Sequence, residues 1–278
     1  RATHGNAYHA TSYRSKGRRQ SPGSTSKSTI LMTLSVLGSS SAGNAYILRT
    51  SSGETLLIEC GVKKQQLLQS LDFDLQHLAG CLLSHEHGDH AREARWVTSS
   101  RIPLYCSSGT AEALHLGDDP MLRPIASKQA FKVGSFSVLP FDIKHDAREP
   151  LGFLIEHEEM GRLLFITDSY LLRYRFPRVT HWLIECNYCS DIIDDRFASG
   201  AIHPAQYHRT LRSHMSLETC VKTLQASDLS TSRQIILIHL SAGNTNAERC
   251  RQSIEEATGL PTMIAAPDMT IEINKTPF

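Results

Sequence analysis

The sequence predicts an α/β protein: two packed, mixed β-sheets with helices on their outer faces. Short apolar runs of strand length recur along the chain, and in each half strands come first and helices after. A third observation places chemistry on that frame. Ser84-His85-Glu86-His87-Gly88-Asp89-His90 sets three imidazoles and a carboxylate within six residues, directly behind the apolar run Ala79-Gly80-Cys81-Leu82-Leu83. Imidazole nitrogen and carboxylate oxygen are donors that zinc, manganese or iron accept at open sites, and a loop leaving a strand can turn them toward one point. Asp89 stands four residues after His85, so the zincin pattern H-E-x-x-H is excluded.

The elements follow in order. Leu34–Leu37, Ala45–Leu48 and Leu56–Glu59 read as strands of a meander, the first two joined by a Gly/Ser/Asn turn from Gly38 to Asn44. Lys63–Leu71 reads as a helix, Gly80–Leu83 as a buried strand, Ala91–Val97 as a helix, Ile102–Tyr105 as a strand and Ser108–His115 as a helix. The β pattern returns at Phe136–Phe141, Gly152–Glu156, Arg162–Ile166 and Trp182–Glu185. Helices are expected over His203–Leu211 and Ser216–Gln225, a strand over Gln234–Ile238, a helix over Asn246–Glu256, and a β ending at Met263–Ala265 and Thr270–Ile273. No internal repeat of fixed period is present.

Composition sets the outer bounds. The chain has 278 residues, 40% apolar and 21% charged, with neither a membrane-length apolar run nor a signal peptide. A soluble, cytoplasmic protein is expected. Its seven cysteines suit reduced thiols better than a disulfide framework, and Cys186-x-x-Cys189, lacking a second pair, reads as packing. Residues 1–31 carry six bases and no acid, are rich in Ser, Thr, Arg and Gly, and read as a disordered leader, either expression-derived or upstream sequence. A transit peptide also fits that composition, and Met32 is a candidate natural start. The remaining 32–278, expected to be the hydrolase domain, holds 23 bases against 28 acids, a net of −5, which argues against a broad electrostatic footprint for nucleic acid.

If the His-rich loop binds metal, further donors should sit where other strands end. His145 follows the strand ending at Phe141, while Asp168 and His239 each follow an apolar run. The pattern His85-x-His87-x-Asp89-His90, followed by these three, resembles the metallo-β-lactamase superfamily. That resemblance implies the αβ/βα four-layer sandwich and two divalent metal ions (Zn, Mn or Fe). It places His85, His87 and His145 on one ion, Asp89, His90 and His239 on the other, and Asp168 between them. Glu59 stands where the family usually has Asp and is expected to orient a ligand imidazole rather than bind metal. Hydrolysis by metal-bound hydroxide is the chemistry this set implies.

The segments Gly38–Asn44, His145-Asp146-Ala147, Glu185-Cys186-Asn187, Ser213-His214-Met215-Ser216 and His239-Leu240-Ser241 are similar to the YycJ/WalJ-like branch, whose members are nucleases. By that similarity the substrate is nucleic acid, DNA above all, cut by an exonuclease of repair or replication. Asp89, His214 and Glu185 are the expected catalytic group, with Glu185 orienting His214. Ser39, Ser40, Asn44, Ser241 and Asn244 are candidates for phosphate contact, because small and hydroxyl residues leave backbone N–H groups open to an anion; a tight β-turn explains the first three as well. Arg92, Arg95, Arg173, Arg175, Arg178, Arg209 and Arg212 are candidates for backbone contact only where they line the cleft. The alternatives are a small-molecule metallo-hydrolase of thioesterase, lactonase or β-lactamase type, a metal-stabilised binding protein without catalysis, and a di-iron variant that would need a flavin partner domain.

Overall fold

A computed structural model describes residues 31–276 of the chain. The expected leader over 1–31 lies outside the described residues apart from Leu31.

Two seven-stranded sheets make up the centre. The first runs β14 (Met269–Glu272), β1 (Thr33–Ser40), β2 (Gly43–Arg49), β3 (Thr55–Ile58), β4 (Leu78–Leu82), β5 (Leu104–Cys106), β6 (Leu122–Pro124). The second runs β7 (Phe131–Val133), β8 (Phe136–Asp142), β9 (Leu151–His157), β10 (Gly161–Ile166), β11 (His181–Glu185), β12 (Gln234–Ile238), β13 (Thr262–Ile264). Taken in that direction, each sheet has three antiparallel pairings followed by three parallel ones. The halves are thus two copies of one topology, each completed by a short edge strand, although no sequence repeat announces it.

Strand alternation sorts the side chains into layers. In β2, Tyr46 and Leu48 join the central cluster, while Ala45 and Ile47 join the helix-facing one. The centre packs Leu34, Val36, Leu56 and Ile58 of the first sheet against Phe136, Phe153, Phe165 and Ile236 of the second. Outside the first sheet lie α1 (Lys64–Ser70), α3 (Ala94–Ser99) and α4 (Ser108–Ala113), contributing Leu67, Val97 and Ala111. Outside the second, Trp182, Ile184 and Leu237 meet Leu217 and Leu224 of α7 (Leu217–Gln225) and Ile254 of α8 (Ala247–Thr258). Burial on both faces is why these strands read as nearly unbroken apolar runs.

The structure differs from the sequence reading in four places. The turn expected over Gly38–Asn44 is only Ser41-Ala42; the flanking glycines are in strands, where backbone segments nearly touch. A Cβ on Gly43 would stand 2.7 Å from the carbonyl oxygen of Gly61. The single helix expected over Ala91–Val97 is two, α2 (Gly88–Ala91) and α3, because Glu93 N–H donates across to the Cys60 carbonyl (3.0 Å) instead of continuing a helical ladder. The edge strands β6 and β7 went unread, their three residues being too few for a period to show. The hairpin helix α5 (Ser190–Ala198) was also missed, although Asp191 in its first turn and the Ile192-Ile193 pair were a usable signal.

Phe165 is fully buried, edge-on to Tyr46 (centroids 5.6 Å) and stacked on Phe153 (6.3 Å). Phe165→Ala should therefore destabilise the sandwich by about 3–5 kcal/mol, seen as a lower urea midpoint at unchanged m-value.

Candidate metal centre

The expected donors converge between the two sheets, at the ends of strands. Glu59 follows β3, and His85 and His87 follow β4, with Asp89 and His90 on the short α2. From the second sheet come Asp168 after β10, Glu185 at the end of β11 and His239 after β12; the β8–β9 loop brings His145. Glu59 (φ 64°), Asp168 (φ 49°) and His239 (φ 54°) are left-handed, a backbone cost of about 1–3 kcal/mol each that abruptly ends the strand and redirects the side chain.

Metal-compatible spacing joins the residues in three groups: His85, His87, His145 and Asp168; Asp89, His90 and His239; and Asp168, Glu185, His214 and His239. The first two are the sets expected on the separate ions. Asp168 lies between them, Oδ2 being 3.4 Å from His145 Nε2 and 3.8 Å from His85 Nε2, and Oδ1 3.4 Å from His90 Nε2.

Three imidazoles have the outer nitrogen within hydrogen-bonding distance of a fixed partner, and a fourth, His90, has it facing a buried carboxylate. Ser84 Oγ is 2.8 Å from His85 Nδ1, and the Ser213 carbonyl 3.0 Å from His145 Nδ1. Glu59 Oε2 stands 3.2 Å from His90 Nδ1, with Glu59 Oε1 anchored by Ser84 N–H at 3.1 Å. Glu185 Oε1 stands 3.2 Å from His239 Nδ1, whose Nε2 is 3.3 Å from Asp89 Oδ2. Holding a ligand's second nitrogen in this way fixes tautomer and ring plane. The longer side chain of Glu59, where the family usually has Asp, still reaches its imidazole.

Glu185 is itself saturated. Oε2 accepts from Ser169 N–H (2.9 Å) and Met215 N–H (3.1 Å), and Oε1 is 2.7 Å from His214 Nδ1. A carboxylate so occupied has its lone pairs spent on the backbone and on ring nitrogens, although Glu185 and His214 share the third group with Asp168 and His239. His214 is the C-cap residue of α6 (Pro204–Ser213) with its side chain only 14% exposed, and Ser216 is the N-cap of α7.

The electrostatics follow from burial and crowding. Burial and the neighbouring imidazoles push His85 well below the usual histidine range. Burial would also depress His239, but Asp168, Asp89 and Glu185 outweigh it and lift it to about 10. Asp89 is held far below the ordinary carboxylate range because His239 and His90 overcome its desolvation, and Asp168 is lowered in the same way. Burial lowers His214, yet Glu185 beside it raises the net value.

The donor set fits a cation. His85 Nε2 is buried with no hydrogen-bond partner, and His87 Nδ1 and His145 Nε2 approach within 3.0 Å. An unpaired buried nitrogen costs about 1–3 kcal/mol, and a divalent ion in the His85–His87–His145–Asp168 group would satisfy these lone pairs together.

The phosphate candidates fare differently. Ser39 Oγ is occupied by Tyr46 Oη (2.8 Å) and by the backbone N–H of His239 (3.0 Å), so it braces the His239 loop and has no free hydroxyl for an anion. Asn44 is buried, its Nδ2 3.2 Å from the Asp89 carbonyl, and serves to seat α2. Asn244 is buried and its Oδ1 accepts from Arg196 (2.9 Å). Ser40 and Ser241 are half-buried and remain candidates. In place of the first three, sequence reading missed Tyr46, Ser84, Ser213 and Asn187, whose Nδ2 donates to the His239 carbonyl at 2.9 Å. Ser84, adjacent to His85, and Ser213 and Asn187, within the segments that carry the resemblance, offered a signal; Tyr46 offered none. Arg92 and Arg95 reach backbone carbonyls, and Arg175 and Arg178 line clefts on the far side of the second sheet; Arg209 and Arg212 stand beside His145. The seven cysteines are buried and unbridged, Cys186 and Cys189 within the core beneath the second sheet.

A four-layer sandwich with His/Asp donors at its strand ends defines a class, the metal-dependent hydrolases of metallo-β-lactamase fold. The chain belongs to that superfamily: the family description "Beta-lactamase superfamily domain" matches residues 54–240. It is 25% identical over 239 residues to the exodeoxyribonuclease YycJ of Bacillus anthracis, covering 80% of this chain and 87% of that one. With the exodeoxyribonuclease WalJ of Streptococcus pneumoniae serotype 2 it shares 26% over 228 residues, 77% and 83% of the two chains. The solved metallo-beta-lactamase fold protein YhfI of Bacillus subtilis superposes with a TM-score of 0.69 at 16% identity, covering 87% of this chain and 99% of that one. The fold implies use of divalent metal. No helix among the described residues is long and apolar enough to cross a membrane.

Two changes test this geometry. Glu59→Ala releases the His90 ring and should weaken metal retention about 10- to 100-fold in competition with a chromogenic chelator. Gly61 has the Asp89 carbonyl oxygen 1.7 Å from where a Cβ would lie, so Gly61→Ala must displace α2. It should lower bound metal per chain, measured by elemental analysis, although no donor has been altered.

Proposed function

We propose that the chain is a two-metal phosphodiesterase, an exonuclease acting on DNA in the cytoplasm, with Zn, Mn or Fe at the centre. One observation carries the reading: His214 has Nδ1 committed to Glu185 at 2.7 Å and lies beside the His145 ring (centroids 5.5 Å), outside both the His85–His87–His145–Asp168 and the Asp89–His90–His239 donor sets. A hydrolase of activated amides or thioesters has less need of such a group, whereas phosphodiester cleavage releases a basic oxygen that takes a proton. The likeness to curated exodeoxyribonucleases over most of both chains supports the same choice.

In this reading His85, His87 and His145 would hold one ion, Asp89, His90 and His239 the other, and Asp168 both. When bound there, divalent ions lower the pKa of a coordinated water and neutralise the charge that builds on the phosphoryl oxygens. The chain's own part is positional. Glu59 and Glu185 fix the His90 and His239 rings, Asn44 and Asn187 fix the segments that carry Asp89 and His239, and the saturated Glu185 aims His214. His214 Nε2 then donates its proton to the leaving oxygen.

Release of nucleotides from end-labelled duplex and single-stranded DNA with added Mn²⁺ tests this. Asp89→Ala should abolish release. His214→Ala should lose about 10²- to 10⁴-fold in kcat with metal content retained. A metal-loaded wild type that leaves DNA and RNA intact but hydrolyses a thioester or lactone would replace this reading with a small-molecule one.

A further inference from the structure

Beside the metal centre lies a cleft of about 470 Å³ that shares His145 with it and is lined by Lys144, Asp146, Tyr170, Arg209 and Arg212. Its charge opposes that of the protein. Residues 32–278 are net −5, yet three cations and one carboxylate meet here.

The cations are not equivalent. Arg209 Nε bonds Asp146 Oδ2 at 2.6 Å, a pair that closes on itself and holds the carboxyl of Asp146 down to about 2 against its partial burial. Arg212 spends only Nε, on the His208 carbonyl (3.1 Å), and has no acidic partner among the described residues. The Lys144 ammonium likewise has none, its backbone alone being tied, to Ser169 Oγ and Tyr170 N–H. Two unpaired cations are therefore held next to a candidate metal ligand by fixed backbone. Lys144 adjoins His145 in sequence, and Arg212 adjoins Ser213, whose carbonyl holds the His145 ring. Arg209 and Arg212, three residues apart, share the exposed face of α6.

A solvated charged surface would not require cations aligned on a ligand's own neighbours, and a small neutral substrate would gain nothing from them. A strand of nucleic acid would, because every phosphate flanking the scissile one is a further negative charge that must be met as the strand enters. Tyr170, half-buried in the same wall, adds an aromatic surface for a sugar or base.

We propose that this cleft holds the phosphate one nucleotide from the bond that is cut, with Arg212 and Lys144 as its charge partners. The inference rests on the nuclease reading above and names where that substrate's next phosphate lies. That phosphate is either a terminal monoester or an internal diester.

Steady-state cleavage of a short single-stranded oligonucleotide and of bis(p-nitrophenyl) phosphate, by wild type, Arg212→Ala, Lys144→Ala and the double variant, tests it. The double variant should raise KM for the oligonucleotide at least tenfold while kcat changes much less. Its log(1/KM) should fall with log salt about 0.7 less steeply, as loss of one single-strand phosphate contact requires. The small diester, having no flanking phosphate, should be affected several-fold less. A neutral methylphosphonate at the flanking position should impair wild type yet add nothing to the double variant. Replacing a 5′-phosphate by hydroxyl distinguishes the sources: a loss seen only in wild type identifies a terminal monoester, no loss an internal diester. Wild-type KM and salt slope in the variants, or an undiminished methylphosphonate penalty, would overturn the inference while leaving the nuclease reading intact. A wild type that cleaves the small diester but no nucleic acid would overturn both.

Discussion

The structure depends on keeping several inward-facing imidazole nitrogens, stripped of water, close to three carboxylates. Such a cluster is costly to bury unless each group has a partner, and like groups within 5 Å would spread apart unless held from behind. The chain holds them from behind. Ser84, Ser213 and Glu185 each take the outer nitrogen of one ring, Glu59 faces that of His90, and Ser84 and Met215 N–H groups hold the glutamates in turn. These braces are buried, so the geometry of the centre is set by the same packing that sets the sandwich.

Braces from both sheets are needed, and this explains the close backbone approaches at the mouth between them. The β1–β2 hairpin packs against the segment after β3, which in turn packs against α2; glycines at 43 and 61 allow contact that any side chain would prevent. Across the centre, Ser39 of the first sheet accepts from the backbone of His239 of the second. Ser39 and Asn44 thus brace the segments that carry the donors.

Charge is distributed to match. The body of the protein is mildly acidic, the centre concentrates donors for cations, and unpaired bases gather beside His145. An anion reaching the centre meets attraction locally rather than over a broad surface.

The density of His and Asp between His85 and His90, and the recurrence of donors behind apolar runs, made the fold class and the set of side chains that converge between the sheets legible in the sequence. Both are local: a strand's burial shows in its residues, and a donor at its end shows in the next one or two. The place of Glu59 beside an imidazole was legible by resemblance, because it occupies a known place in a known pattern. The three-residue edge strands were not, nor were the roles of Ser39, Asn44 and Asn244, whose residue types suit phosphate and backbone bracing equally. Which use a hydroxyl or amide is put to depends on what lies against it, and for Ser39 that is His239, 200 positions away in sequence. Sequence by itself determined which chemical groups are present and which strand ends carry them. Tertiary structure alone decided which of those groups face the centre and which stand behind it, because only packing two sheets together brings donor and brace within hydrogen-bonding distance.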